Sequence, residues 1–198
     1  MPKIRLAILI SGRGSNMEAL IKACAQADFP ATIAVVIANR PDAGGLAKAQ
    51  SAGLKTALVD HKKFPTRQDF EAALQDALQT HGPIDLICLA GFMRVLTPWF
   101  VDQWDGRMIN IHPSLLPDYK GLDTHARALA DGRAESGCSV HYVVPEMDDG
   151  PLILQRRVPI LPGDTPDRLA ARVLAAEHIA YPEAVTLVAE KLKKRLMT

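Results

Sequence analysis

What the sequence has little of narrows it first. Cysteine is scarce: Cys24, Cys88 and Cys138 are the only three in 198 residues, widely spaced and outside any CxxC or Cys/His cluster. An odd, scattered set argues against a disulfide framework and against a zinc site. An excess of one charge is also lacking, with 23 Lys+Arg against 22 Asp+Glu and a formal net charge of +1. Bulk electrostatics therefore favours neither nucleic acid nor an anionic membrane as partner. No apolar run reaches membrane-spanning length. The opening run Ile4 to Ile10 is too short for a signal-peptide core with its cleavage site, and it leads straight into a glycine turn. Repeats, low-complexity tracts and linkers are missing. The expectation is a soluble, cytoplasmic protein, monomer or homodimer, folded as a single domain over residues 1–198. At 48% apolar residues it has enough to build a sizeable core. The basic run Lys191 to Arg195 reads as a solvated helix end, favourable with the helix dipole.

What is present is an alternation of apolar strands and amphipathic helices. Ile4 to Ile10 reads as a strand buried on both faces, followed by the turn Ser11-Gly12-Arg13-Gly14-Ser15-Asn16 and a helix carrying Met17, Leu20, Ile21 and Cys24. Ile33–Ala38, Thr56–Val59 and Ile84–Ala90 read as further strands, with Cys88 a buried small hydrophobe. Gly45–Ala52 and Thr66–Thr80 read as helices, the second with Phe70, Ala73, Leu74 and Ala77 on one face. Thr97 opens a short helix with Pro98 at the favoured first position. Met108–His112 is a strand that Pro113 stops, and Thr124–Ala130 a short helix. Cys138–Val144 and Ile153–Ile160 form a hairpin-like pair. Thr165-Pro166 begins a long helical region that Pro182 should kink or break. The pattern predicts a doubly wound, mostly parallel α/β sheet of Rossmann-like type, with an antiparallel addition late in the chain. In such sheets ligands bind beyond the C-terminal strand ends, where Ser11–Asn16, Gly91–Arg94 and Asn110–His112 all fall.

Four of these segments carry chemistry. In Asn110-Ile111-His112 the amide and the imidazole point to the same side of a strand end. That pairing suits a reaction in which negative charge develops on oxygen, although an isolated Asn-x-His reads equally as a turn cap beside a satisfied histidine. The Ser11–Asn16 turn is not a Walker A loop, and Met17 stands where a dinucleotide fingerprint has its third glycine. It reads either as a tight turn capped by Ser15 or Asn16, or as a cradle for a phosphate monoester. Asp148-Asp149-Gly150-Pro151 is either an acidic turn or a carboxylate returning to face His112, where it would raise the ring's proton affinity. Met93, in Gly91-Phe92-Met93-Arg94, is either core or the lining of an apolar slot for a flat ring. His61, His81, His125 and His178 lack metal-ligand spacing, so no metal is expected.

Together the strings Ser11–Asn16, Leu89–Arg94, Asn110–Pro117 and Asp148–Gln155 resemble the folate-dependent formyltransferases, and among them the phosphoribosylglycinamide formyltransferases, from about Ile4 to Tyr181. The resemblance implies a one-carbon transferase of purine biosynthesis acting on glycinamide ribonucleotide, with 10-formyltetrahydrofolate as co-substrate. It implies that Asn110, His112 and Asp148 are catalytic. It implies that Gly14, Ser15, Asn16 and Glu177 bind the ribonucleotide, and that Arg67, Met93, Arg94, Val95, Leu96 and Asn110 bind the folate. Two places depart from the family pattern. Asp149 stands where a small residue is usual, and Asp123 and Ala126, around His125, differ from a common form of that turn. Methionyl-tRNA formyltransferase and formyltetrahydrofolate hydrolase share the fold. They are disfavoured because the chain has no length for an added RNA-binding domain and its first strand begins at Ile4. A non-catalytic phosphate-binding module would account for the glycine turn but not for Asn110, His112 and Asp148 together.

Overall fold

Strand β1 (Ile4–Ile10) is buried along its whole length except for Arg5, as a continuous apolar run between two packed layers should be. The structure, a computed structural model, describes residues 3–195. The other strands are β2 (Ala31–Ala38), β3 (Thr56–Leu58), β4 (Leu86–Leu89), β5 (Met108–His112), β6 (Glu135–Tyr142) and β7 (Leu152–Pro159). They form one seven-stranded sheet in the order β3-β2-β1-β4-β5-β6-β7. β1 to β5 pair in parallel, and β6 and β7 add antiparallel to β5. This is the doubly wound sheet with its antiparallel addition that the sequence pattern predicts.

The helices are α1 (Ser15–Cys24), α2 (Gly45–Ser51), α3 (Arg67–Thr80), α4 (Pro98–Gln103), α5 (Thr124–Ala130) and α6 (Pro166–Arg195). They divide the core in two. Ile8, Ile10, Cys88, Ile109 and Ile111 of the sheet pack with Met17 and Leu20 of α1 and Leu169, Val173, Tyr181 and Val185 of α6. Leu9, Ile87, Leu89 and Met108 pack on the other side with Phe70, Leu74 and Leu78 of α3 and Phe100 and Val101 of α4. Because alternate residues of a strand face opposite ways, Asn110 and His112 lie on the side away from Ile109 and Ile111. No helix among the described residues is long and apolar enough to cross a membrane.

Of the kink or break expected at Pro182, the break does not occur: α6 runs as one helix of 30 residues through it. Proline removes a single main-chain bond there, whereas Ala180, Tyr181, Ala184 and Val185 on both sides of it are fully buried. Packing of that face outweighs the lost bond. Lys191 and Lys194 are exposed in the last turns, and the side chain of Arg195 lies outside the described set.

Tyr181 also bolts α6 to the strands beneath the cleft. Its hydroxyl donates to the Leu89 carbonyl at 2.8 Å and lies 3.3 Å from the Ile109 carbonyl. Tyr181→Phe removes a buried hydrogen bond with little change of volume, so it should destabilise by about 1–2 kcal/mol. The expected result is a lower denaturant midpoint at unchanged slope. An unchanged midpoint would show that the hydroxyl contributes nothing.

Candidate active site

The ends of β1, β4 and β5 lie side by side, and their loops are tied together. The Ser11 N–H donates to the Gly91 carbonyl at 3.1 Å. The Met93 N–H donates to Ser11 Oγ, and the Ser11 hydroxyl donates to Asn39 Oδ1, both at 2.7 Å. The glycine turn after β1 and the loop after β4 are thus one connected wall. Gly14, not Ser15 or Asn16, caps α1, in a left-handed conformation at φ 71° with no side-chain cap bond. A Cβ there would lie 3.2 Å from the Gly45 Cα, so the turn and α2 meet through two glycines. With no capping side chain, the backbone N–H groups of the first turn of α1 keep their capacity for an acceptor. Asn16 Nδ2 donates to Glu177 Oε2 at 2.6 Å across a sequence separation of 161 residues. The Asn16 Oδ1 atom is buried without a partner. Burial raises the pKa of Glu177, against the lowering effect of the Asn16 bond.

At the end of β5, Asn110 pairs in register with His141 of β6 and His112 with Ser139. The loop after β6 returns Asp148 to this face. Its Oδ2 lies 3.4 Å from His112 Nδ1 and accepts from the Gly121 N–H at 2.9 Å. Its Oδ1 lies 3.7 Å from His141 Nε2. His112 Nε2 lies 2.9 Å from the Tyr119 carbonyl. A carbonyl only accepts, so that nitrogen carries the proton. By the same argument His141 Nδ1, 2.8 Å from the Tyr142 carbonyl, is a donor. In the neutral ring, His141 Nε2 then accepts from Asn110 Nδ2 at 3.2 Å, which fixes the Asn110 amide. Gly150 permits the return of the chain, because a Cβ there would lie 1.8 Å from the Tyr142 carbonyl. That clash accounts for glycine in Asp-x-Gly-Pro.

Burial sets the titration of this group. It lowers the His112 pKa below the ordinary 6.5, outweighing the Tyr119 carbonyl and the Asp148 charge, which both raise it. Burial pushes the Asp148 carboxyl up. The neighbouring His141, the Gly121 N–H and the charge of His112 outweigh this and hold it below the usual carboxylate range. The Asp149 carboxylate is exposed and turned to Lys120.

The residues matched to a folate pocket line the loop between β4 and α4. Met93 and Val95 are exposed, whereas Leu96 is buried. The Arg94 guanidinium sits 5.5 Å over the Phe70 ring. Arg67 is exposed at the first turn of α3, three residues before Phe70. Sequence reasoning missed Glu71, which is fully buried and accepts from both the N–H and the hydroxyl of Thr97. It anchors the end of this loop. It also gave no role to His141, Tyr119 or Gly121. The position of His141 opposite Asn110 becomes visible only once the antiparallel register is known. Among the described residues, no group of three or more His, Cys, Asp or Glu is placed to hold a metal ion.

Comparison with known proteins places the chain in a family. Residues 4–185 match the formyl transferase family. The phosphoribosylglycinamide formyltransferase of Escherichia coli (strain K12) is 43% identical over 94% of this chain and 88% of that protein. The solved phosphoribosylglycinamide formyltransferase from Coxiella burnetii is 51% identical with a TM-score of 0.90, covering 96% of this chain and 88% of that one. The human trifunctional purine biosynthetic protein adenosine-3 is 46% identical over 94% of this chain, which spans only 18% of that protein's length. The chain belongs to the formyl transferase family and is a transferase of the phosphoribosylglycinamide formyltransferase kind.

The buried ring has a consequence for stability. Folded His112 holds its proton less tightly than the unfolded residue, so the unfolded chain binds more protons between the folded pKa and 6.5. Stability should rise with pH through that window and fall on acidification from about pH 7.5 to about 5.5. His125 and His178, also lowered by burial, act in the same sense, and Glu177 acts in the opposite one. Denaturant midpoints at the two pH values should therefore differ less in His112→Gln than in the parent. An equal difference would assign the effect to the other groups.

Proposed function

We propose that the protein transfers a formyl group from 10-formyltetrahydrofolate to the amine of glycinamide ribonucleotide, in de novo purine biosynthesis, on a single domain. One observation carries the reading. Asn110, His112 and Asp148 meet at the end of β5, beside a glycine turn whose helix N-terminus is free to take a phosphate. The names of the related enzymes agree with it.

In this reaction the ribonucleotide phosphate lies on the backbone N–H groups of Gly14, Ser15 and Asn16, where the helix dipole favours negative charge. Glu177 and the free Oδ1 of Asn16 face the rest of the ribonucleotide. Arg67, Met93, Arg94, Val95 and Leu96 hold the folate. The substrate amine attacks the formyl carbon, and negative charge grows on the formyl oxygen. The Asn110 amide and His112 donate to that oxygen. For His112 this exchanges one acceptor for another, since its Nε2 proton already rests against the Tyr119 carbonyl. Asp148 on Nδ1 supports the charged ring. A proton passes from the new C–N nitrogen, through water, to the leaving folate nitrogen. The chemistry uses side chains and asks for no metal.

The test is the purified protein with both substrates, followed by the absorbance of released tetrahydrofolate. His112→Ala should cost on the order of 10²–10³ in turnover while leaving the fold intact. Near-normal turnover in a well-folded variant would remove His112 from the mechanism. Asp148→Asn keeps the shape of the side chain but loses its charge, and it should cost far more activity than Asp149→Asn. A larger loss at Asp149 would mean that the working carboxylate is the exposed one.

A further inference from the structure

Asp149 plays no part in the reaction just described, yet its carboxylate has a partner. Three consecutive residues after β5 grip three different groups. The Tyr119 carbonyl takes the Nε2 proton of His112 at 2.9 Å, and the Gly121 N–H donates to Asp148 Oδ2 at 2.9 Å. Between them the Lys120 ammonium is hydrogen-bonded to the Asp149 carboxylate. Residues 119–121 therefore form a strap that holds both members of the His112/Asp148 pair and the neighbour of one of them. Arg127 of α5 fastens the strap from behind, its Nη1 donating to the Lys120 carbonyl at 2.8 Å.

The backbone gives the strap little support of its own. Tyr119 and Asp148 are non-glycine residues in the left-handed region, at φ 57° and 53°, a conformation that side chains disfavour. Neither segment belongs to a helix or a strand. Their relative position depends on the links between them. One is the Gly121–Asp148 bond inside the cleft, and the other is the Lys120–Asp149 pair at its rim, with side chains 35% and 54% exposed.

We propose that Lys120 and Asp149 form a positioning clasp, an ion pair that keeps the strap closed on Asp148 and so holds that carboxylate at His112 Nδ1. The kinetic half of this inference rests on the formyl-transfer reading, and the structural half does not. Pairing also gives the second acidic residue a counter-charge of its own. An exposed pair is weak and screened by salt. Its effect should be modest and sensitive to ionic strength.

The experiment compares Lys120→Ala, Asp149→Ala, the double alanine variant and the charge exchange Lys120→Asp/Asp149→Lys. Two readouts are taken, hydrogen exchange at the Gly121 amide and steady-state formyl transfer. Each single variant should speed exchange at Gly121 and lower kcat/KM by about two- to fivefold, with the loss in kcat and the ribonucleotide KM unchanged. The double variant should be no worse than either single one, and the exchanged pair should recover to within about twofold of the parent. Asp149→Glu should stay near the parent, and about 0.5 M salt should erase the parent's advantage. Losses that add in the double variant, or an exchanged pair as poor as the single variants, would overturn the clasp. So would a Gly121 amide indifferent to all four variants. If the parent transfers no formyl group while Gly121 exchange still follows the pair, the functional reading fails and the clasp stands.

Discussion

Two parallel pairings, β1 with β4 and β4 with β5, decide where everything else can be. Parallel strands all end at the same edge of a sheet, so the loops after Ile10, Leu89 and His112 open on one cleft although about a hundred residues separate the first from the last. The chain turns outward in opposite directions from β1 and β4, which leaves the crevice between them open. Ser11 then closes its floor, with its N–H on Gly91 and its Oγ under the Met93 N–H. Without that register the glycine turn and the Met93–Leu96 loop would be separate surface features with nothing to share.

The same edge creates an electrostatic problem that the loops solve. An imidazole as buried as His112 resists charging, and a carboxylate as enclosed as Asp148 would prefer to be neutral. Each is given hydrogen-bond partners instead. The Tyr119 carbonyl and the Gly121 N–H lie two residues apart on one segment and serve the two groups with opposite polarity. His141 holds Asn110 from the neighbouring strand. In the proposed reaction this matters because donors fixed before charge develops need no reorganisation when it does. A ring that is reluctant to charge at rest gains most from an oxyanion that appears beside it.

How much of this could be read from the residues depended on whether the cause was local. β5 was legible to both ends, Met108 and His112, because an apolar run met a proline that cannot continue a strand. The Thr97-Pro98 helix start and the Thr124–Ala130 helix were legible for similar local reasons. The break expected at Pro182 was wrong because a local rule met a packed tertiary face. Glu71 was hidden because a charged residue beside the apolar face of α3 gives no sign that it will turn inward to Thr97. The strap was hidden too. Nothing in Tyr119 signals a left-handed conformation, and the partners of residues 119–121 lie in other segments and are reached only by folding. Asn16 and Glu177 were linked only through the family resemblance, and periodicity carries no information across 161 residues.

In the proposed reaction the sheet's two faces would let one cleft serve two unlike substrates. Gly14, Asn16 and Glu177 belong to the α1/α6 side, where backbone donors and a buried carboxyl suit a phosphate and a sugar. Met93, Val95 and Arg94 over Phe70 belong to the α3/α4 side, where exposed apolar groups suit a flat ring system. Asn110 and His112 stand at the end of β5, the strand that borders the antiparallel addition. β6 is needed there for a physical reason. A parallel neighbour would have brought its own C-terminal loop to this edge. An antiparallel one instead sets His141 opposite Asn110 and turns back in time to deliver Asp148. The reversal of strand direction at β6 is thus what brings a second imidazole and a carboxylate to the end of β5.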